Sequence, residues 1–152
     1  MTVLTFDTPD EVHNQLGRVI GPGPWLTIDQ ARIDTFAEAT GDHQWIHTDP
    51  ERAASGPYGT TIAHGYLTLS LLPVLAADLY TFAFGSARVN YGCNKVRYPS
   101  PVPVGSRIRA AAKPVTCSTT PKGTLVTVEF TVEVEGSTVP ALVAETVALV
   151  AA

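Results

Sequence analysis

The sequence predicts an α+β domain in which one long antiparallel sheet wraps a buried apolar helix. Three observations lead there. Val126, Val128, Phe130, Val132 and Val134 alternate with Thr127, Glu129, Thr131, Glu133 and Glu135. That period of two places one face on a core and the other in water, as antiparallel sheets do. The segment from Tyr66 to Leu79 is apolar nearly all round, which suits a helix packed inside the molecule. Finally, helix signals crowd the first half of the chain and strand signals the second, a pattern that packs into two layers.

The elements follow in order. Thr8-Pro9-Asp10-Glu11 offers a capping hydroxyl, a first-turn proline and early acids, so a short helix starts there and ends at Gly17. Thr27 to Gln30 fits a capping box for a second helix, with Ile33, Phe36 and Ala37 on its inner face and Gly41 as its stop. Asp49-Pro50-Glu51 starts a third helix that ends near Gly56-Pro57. The apolar helix begins after Gly65, and Pro73 inside it should bend it or free a carbonyl. Strands are expected near 87–98, 106–117, 126–134 and 139–150, with Pro99, Pro101 and Pro103 breaking the chain between the first two. Lys122-Gly123 and Glu135-Gly136 read as hairpin turns. The sheet should have roughly five strands.

A chain of 152 residues reads as one domain, 1–152. Charged residues are 16% of it, against about 25% in a typical globular protein. Surface hidden between identical subunits explains such a deficit most simply. No apolar run is long enough to cross a membrane as a helix. The first residues carry acids where a signal peptide carries bases, which points to the cytoplasm. Cys93 and Cys117 are too few for a disulfide framework or a zinc cluster, and read as reduced thiols. The net charge of −4 argues against nucleic-acid binding, although it is unevenly spread. Residues 79–128 hold seven bases (Arg88, Lys95, Arg97, Arg107, Arg109, Lys113 and Lys122) and no acid. Such a stretch either steers an anionic ligand or is simply the solvent face of strands.

Two segments carry groups able to do chemistry. Asp42, His43 and His47 fall in what reads as a short non-helical segment beside Trp45 and Ile46. A carboxylate and an imidazole placed together can hold one water and share its protons. The spacing alone fits a turn-capping Asp42 and a surface His47 at least as well. Ile62-Ala63-His64-Gly65 precedes the apolar helix. A glycine there exposes helix-start N–H groups that could stabilise an enolate-like oxygen, or it could serve only as a tight turn.

Taken together, these segments are recognisable. The chain resembles the MaoC-like dehydratases, which include (R)-specific enoyl-CoA hydratases, and most of all their NodN-like branch. The resemblance spans essentially residues 20–150. The family pattern A-x-x-x-G-D-x-N-P-x-H appears as Ala37-Glu-Ala-Thr-Gly-Asp-His-Gln-Trp-Ile-His47, with Gln44-Trp45 in place of Asn-Pro, as is common in the NodN-like branch. His64-Gly65 matches the family's His-Gly, and Tyr98-Pro-Ser-Pro-Val-Pro-Val-Gly105 matches its later aromatic-Pro-x-Pro-Val-x-x-Gly.

The resemblance implies a hot-dog fold and dimers joined edge to edge. It also implies reversible hydration of trans-2-enoyl thioesters to (3R)-hydroxyacyl thioesters. In that reading Asp42 and His47 are catalytic, and the Gly65 N–H binds the thioester carbonyl. Gln44, Trp45, His64, Lys95 and Arg97 become candidate substrate contacts, the last two for phosphates of coenzyme A or of a carrier-protein arm. The chemistry asks for no metal, flavin or nicotinamide, because coenzyme A or phosphopantetheine arrives as part of the substrate. Thioester hydrolysis and non-catalytic acyl binding are the rival readings.

Overall fold

The computed structural model describes residues 2–152. Strand β1 (Leu4–Phe6) leads into helix α1 (Pro9–Gln15), whose N-cap Thr8 accepts the Glu11 N–H as expected. Strand β2 (Leu26–Thr27) precedes helix α2 (Gln30–Thr40). The cap of α2 differs from the sequence reading. Thr27 lies in the strand, and Asp29 is the N-cap, accepting the Arg32 N–H at 2.9 Å. Asp competes at least as well as Thr for that position. Ile33 and Ala37 are buried, and Phe36 packs against the same core.

Two short helices follow, α3 (Trp45–Thr48) and α4 (Pro50–Ala54). The apolar helix is broken into α5 (Gly65–Ser70) and α6 (Leu72–Ala76). Pro73 has no N–H to offer the carbonyl one turn back, so the ladder is interrupted there, as its position predicts. Leu67, Leu71, Leu72, Leu75 and Leu79 are buried. The helix is not buried all round, however: Tyr66 and Val74 are 70% and 52% exposed. A sheet on one side cannot cover both faces of a helix.

Strand β3 (Tyr80–Phe82) pairs in parallel with β1, a small second sheet the sequence reading did not contain. The main sheet is β4 (Ala87–Arg97), β5 (Arg107–Thr120), β6 (Gly123–Val134) and β7 (Leu142–Ala151) with β2. Its order is β2-β5-β6-β7-β4, antiparallel throughout. Val126, Val128, Phe130, Val132 and Val134 all face the core, where they meet the leucines of α5 and α6. One edge is the two-residue β2. The other is β4, eleven residues long and exposed along nearly its whole length.

Candidate active site

The site forms where the loop after α2 meets the start of α5. Gly41 closes α2 in the left-handed conformation (φ 79°), which L side chains rarely adopt. The chain then turns sharply and presents Asp42, an exposed residue whose Oδ1 accepts the Gln44 N–H at 3.3 Å. His47 lies in the one-turn helix α3, not in the non-helical segment the sequence suggested. It is buried and held from several sides. Its Nδ1 lies 2.7 Å from the Ile62 carbonyl, and a carbonyl can only accept, so Nδ1 carries the hydrogen and Nε2 keeps a lone pair. The Ile62 N–H in turn donates to the Ile46 carbonyl at 3.0 Å.

Gln30 and Thr61 belong to this frame, although the sequence reading did not single them out. Gln30 Nε2 donates to the His47 carbonyl at 2.7 Å, and Gln30 Oε1 accepts the Thr61 hydroxyl at 2.6 Å. No local sequence pattern signals a contact across 31 residues.

His64 is the N-cap of α5 and is buried. Its Nε2 donates to the Asp42 backbone carbonyl at 2.9 Å. Its ring stacks on that of His47, with centroids 3.9 Å apart and planes 24° from parallel. One donor atom each of Asp42, His47 and His64 lie within 4.8 Å of one another. Nearly parallel rings direct their in-plane lone pairs past each other, so the set suits hydrogen bonding better than convergence on one metal ion. A water between Asp42 and His47, however, spans such a separation with two ordinary hydrogen bonds.

Gly65 follows at once. As the first residue of α5, its N–H has no acceptor within the helix. It lines a cleft of about 360 Å³ together with His47, Thr68, Tyr98, Pro99 and Val102. A Cβ at Gly65 would lie 3.0 Å from the Tyr98 ring, so a side chain here crowds the cleft wall. Burial is the main cause holding the His47 pKa below its ordinary value of 6.5, with His64 adding to it. The Ile62 carbonyl and Asp42 oppose the shift without cancelling it. His47 is therefore neutral near neutral pH, able to accept a proton from water.

The other candidates lie elsewhere. Gln44 is exposed as the N-cap residue of α3. Trp45 packs against Gly56 and lies under the Arg52 guanidinium at 4.3 Å, a support for the α3–α4 corner. Neither residue lines the cleft, and nor do His64 and Asp42, the latter lying exposed in the loop beside His47. Lys95 and Arg97 are exposed on β4, with Arg97 directly before Tyr98 of the cleft wall.

The basic stretch proves to be largely paired. Arg107 of β5 meets Glu135, just past the end of β6, and Arg109 and Lys113 meet Glu133 and Glu129 of β6. Arg109 also lies over the Trp25 ring at 4.2 Å. Arg88 donates to the Thr81 hydroxyl and the Phe82 carbonyl. Among the described residues Lys95 and Arg97 form no ion pair. Glu145, opposite Lys95 in the register, instead accepts from Asn94 at 2.8 Å.

Comparison with known proteins shows the family of the chain. Residues 11–137 match the family described as MaoC like domain. The chain is 53% identical over 144 residues to 3-hydroxyacyl-thioester dehydratase Z of Mycobacterium tuberculosis, covering 94% of this chain and 95% of that protein. It is 43% identical over 143 residues to Nodulation protein N of Rhizobium leguminosarum bv. viciae, covering 92% and 89%. Among solved structures, the unliganded R-hydratase of Pseudomonas aeruginosa superposes with a TM-score of 0.71 at 20% identity, covering 90% of this chain and 81% of that one. The curled antiparallel sheet around a helix is the hot-dog fold of these hydratases.

Proposed function

The chain belongs to the MaoC-like domain family, and from that premise we propose that it adds water reversibly across trans-2-enoyl thioesters to give (3R)-hydroxyacyl thioesters. What supports this reading is that donor atoms of Asp42 and His47 lie within 4.8 Å of each other, while His47 and Gly65, the first residue of α5, line one cleft.

The chemistry follows from the two acceptors. A water donates one hydrogen to the Asp42 carboxylate and the other to His47 Nε2, which turns an oxygen lone pair towards the substrate. The substrate carbonyl oxygen accepts from the Gly65 N–H. The water oxygen bonds to C3 while Asp42 takes the proton. The C2–C3 π pair moves towards the carbonyl, and the enolate oxygen is stabilised by the same N–H. His47 enters neutral, so it has no proton of its own to give. The proton that reaches C2 is therefore the one withdrawn from water, passed back by the pair. Hydroxyl and proton then arrive on the same face of the double bond. No metal, flavin or nicotinamide takes part in these steps.

Lys95 and Arg97, exposed and without an ion pair among the described residues, are the cations we assign to the phosphates of coenzyme A or of a carrier-protein arm. The open edge of β4, with Val89 and Tyr91 47% and 67% exposed, is the surface we assign to a homodimer, because an unpaired strand edge needs covering.

Turnover of crotonyl-CoA tests the reading. Loss of the enoyl absorbance without release of free thiol is the expected result. Thiol release in step with substrate loss would instead indicate hydrolysis.

A further inference from the structure

We propose that His64 is a positioning residue for this reaction: it ties the loop carrying Asp42 to the start of the helix that presents Gly65, and it forms the flat wall that holds His47. The proposal rests on the hydration reading of the site.

His64 does not line the cleft and is only 3% exposed, so it acts through its neighbours and not on substrate. Its Nε2–H reaches 22 residues back to the Asp42 carbonyl at 2.9 Å. It is also the residue immediately before Gly65. One hydrogen bond and one peptide unit thus fix Asp42 relative to the carbonyl-binding N–H. The imidazole face is the second element: it stacks on His47 at 3.9 Å, and Phe36 backs it with ring centroids 4.9 Å apart.

The remaining ring nitrogen shows that packing alone does not explain a histidine here. His64 Nδ1 is buried with no hydrogen-bond partner, a cost an apolar side chain of similar size would avoid. The fold retains that orphan nitrogen along with a donor and a flat face that the site uses.

The ring also affects how His47 titrates. His47 is faced by His64 across the stack and by Asp42 from the loop, while Tyr58 and Tyr98 line the same cleft. Burial and His64 both lower its pKa, so removing the ring lets it rise.

The test compares His64→Gln with His64→Met, two side chains of the same length. Glutamine can present an amide N–H where Nε2 stood, and methionine cannot. The proposal expects His64→Met to lower kcat for crotonyl-CoA on the order of 10²-fold, the scale of a 1 Å misplacement, with little change in KM. His64→Gln should recover most of that loss. In both variants the acidic limb of kcat/KM should move to higher pH. Equal turnover by the two variants, or a methionine variant better than the glutamine one, would overturn the proposal.

Nitrogen-15 NMR of the imidazoles gives a readout independent of catalysis. In the wild-type protein at mildly alkaline pH, His64 should be the Nε2–H tautomer; an Nδ1–H tautomer would overturn the proposal even if no variant folded. A wild-type protein that leaves enoyl-CoA unchanged would count against the hydration reading. The His47 titration midpoint in the two variants would then decide the matter for His64: a rise in both supports the wall, and no change overturns it.

Discussion

The imidazoles of His47 and His64 stack 3.9 Å apart, each with one nitrogen bound to a backbone carbonyl: Nδ1 of His47 to Ile62 and Nε2 of His64 to Asp42. Each ring is thus fixed in one tautomer by a group that can only accept. Of the two, only His47 lines the cleft, so it is the ring we propose meets water.

The buried, neutral His47 sets the pH dependence. Its pKa lies below 6.5 in the folded protein, so the acidic limb of kcat/KM should also lie below 6.5. A limb above that value would contradict the assignment. The same shift acts on stability. The unfolded chain gains a proton at His47 near 6.5 while the folded one does not, so the folded state loses stability as pH falls from there to the folded pKa, and no further below it. Urea unfolding across that window should show a steeper loss for the wild type than for His47→Gln.

Asp42→Asn and His47→Gln should each lower kcat by about 10²–10⁴-fold, the usual range for positioned acid–base groups. Glutamine keeps a donor for the Ile62 carbonyl, so the helix α3 corner should survive. The double variant should lose far less than the product of the two, because in the proposed mechanism the residues hold one water together. Near wild-type hydration by either folded single variant would remove that residue from the mechanism.

Gly65→Pro deletes the donor proposed to bind the carbonyl and should cost on the order of 10²-fold in kcat. Gly65→Ala keeps the N–H but drives its Cβ to 3.0 Å from the Tyr98 ring. We therefore expect Ala to lower kcat/KM by roughly tenfold through crowding, on the scale of a displaced substrate. Adding Tyr98→Ala should relieve it. If the double variant is no better than Gly65→Ala alone, the crowding explanation fails.

Lys95→Ala and Arg97→Ala should raise KM for a CoA thioester more at low salt than at high salt, as screening predicts. Arg107→Ala and Arg109→Ala, whose charges are already met by Glu135 and Glu133, should leave KM alone. Light scattering should report a dimer at micromolar concentration, and Tyr91→Asp on the β4 edge should weaken it. A monomeric wild type would refute the assignment of that edge.

Much of this was legible in the sequence because the signals are local. The valine alternation of β6, the apolar run to Leu79 and the stop at Gly41 each depend on neighbours within a turn or a strand. Several features were not legible, for a common reason. The β1–β3 pair, the Gln30–Thr61–His47 frame and the His64–Asp42 bond join segments far apart in the chain. The helix cap at Asp29, two residues beyond Thr27, shows local competition between equally good caps. Whether the basic stretch steers an anion or is the solvent face of strands stayed open, because sequence cannot show that Glu129, Glu133 and Glu135 lie beside β5. Trp45 lay next to the motif in sequence, yet its ring packs against Gly56 and Arg52 outside the cleft.

Chiral analysis of the product from crotonyl-CoA tests the site most directly. In the proposed mechanism Asp42 and His47 hold water on one face of a double bond whose carbonyl is fixed at Gly65, so a single enantiomer should form. The proposed function expects it to be the (3R)-hydroxybutyryl thioester. In deuterated water the deuteron at C2 should enter on the same face as the hydroxyl. A predominantly 3S product would place the water on the opposite face, and the roles given to Asp42, His47 and Gly65 would fall together.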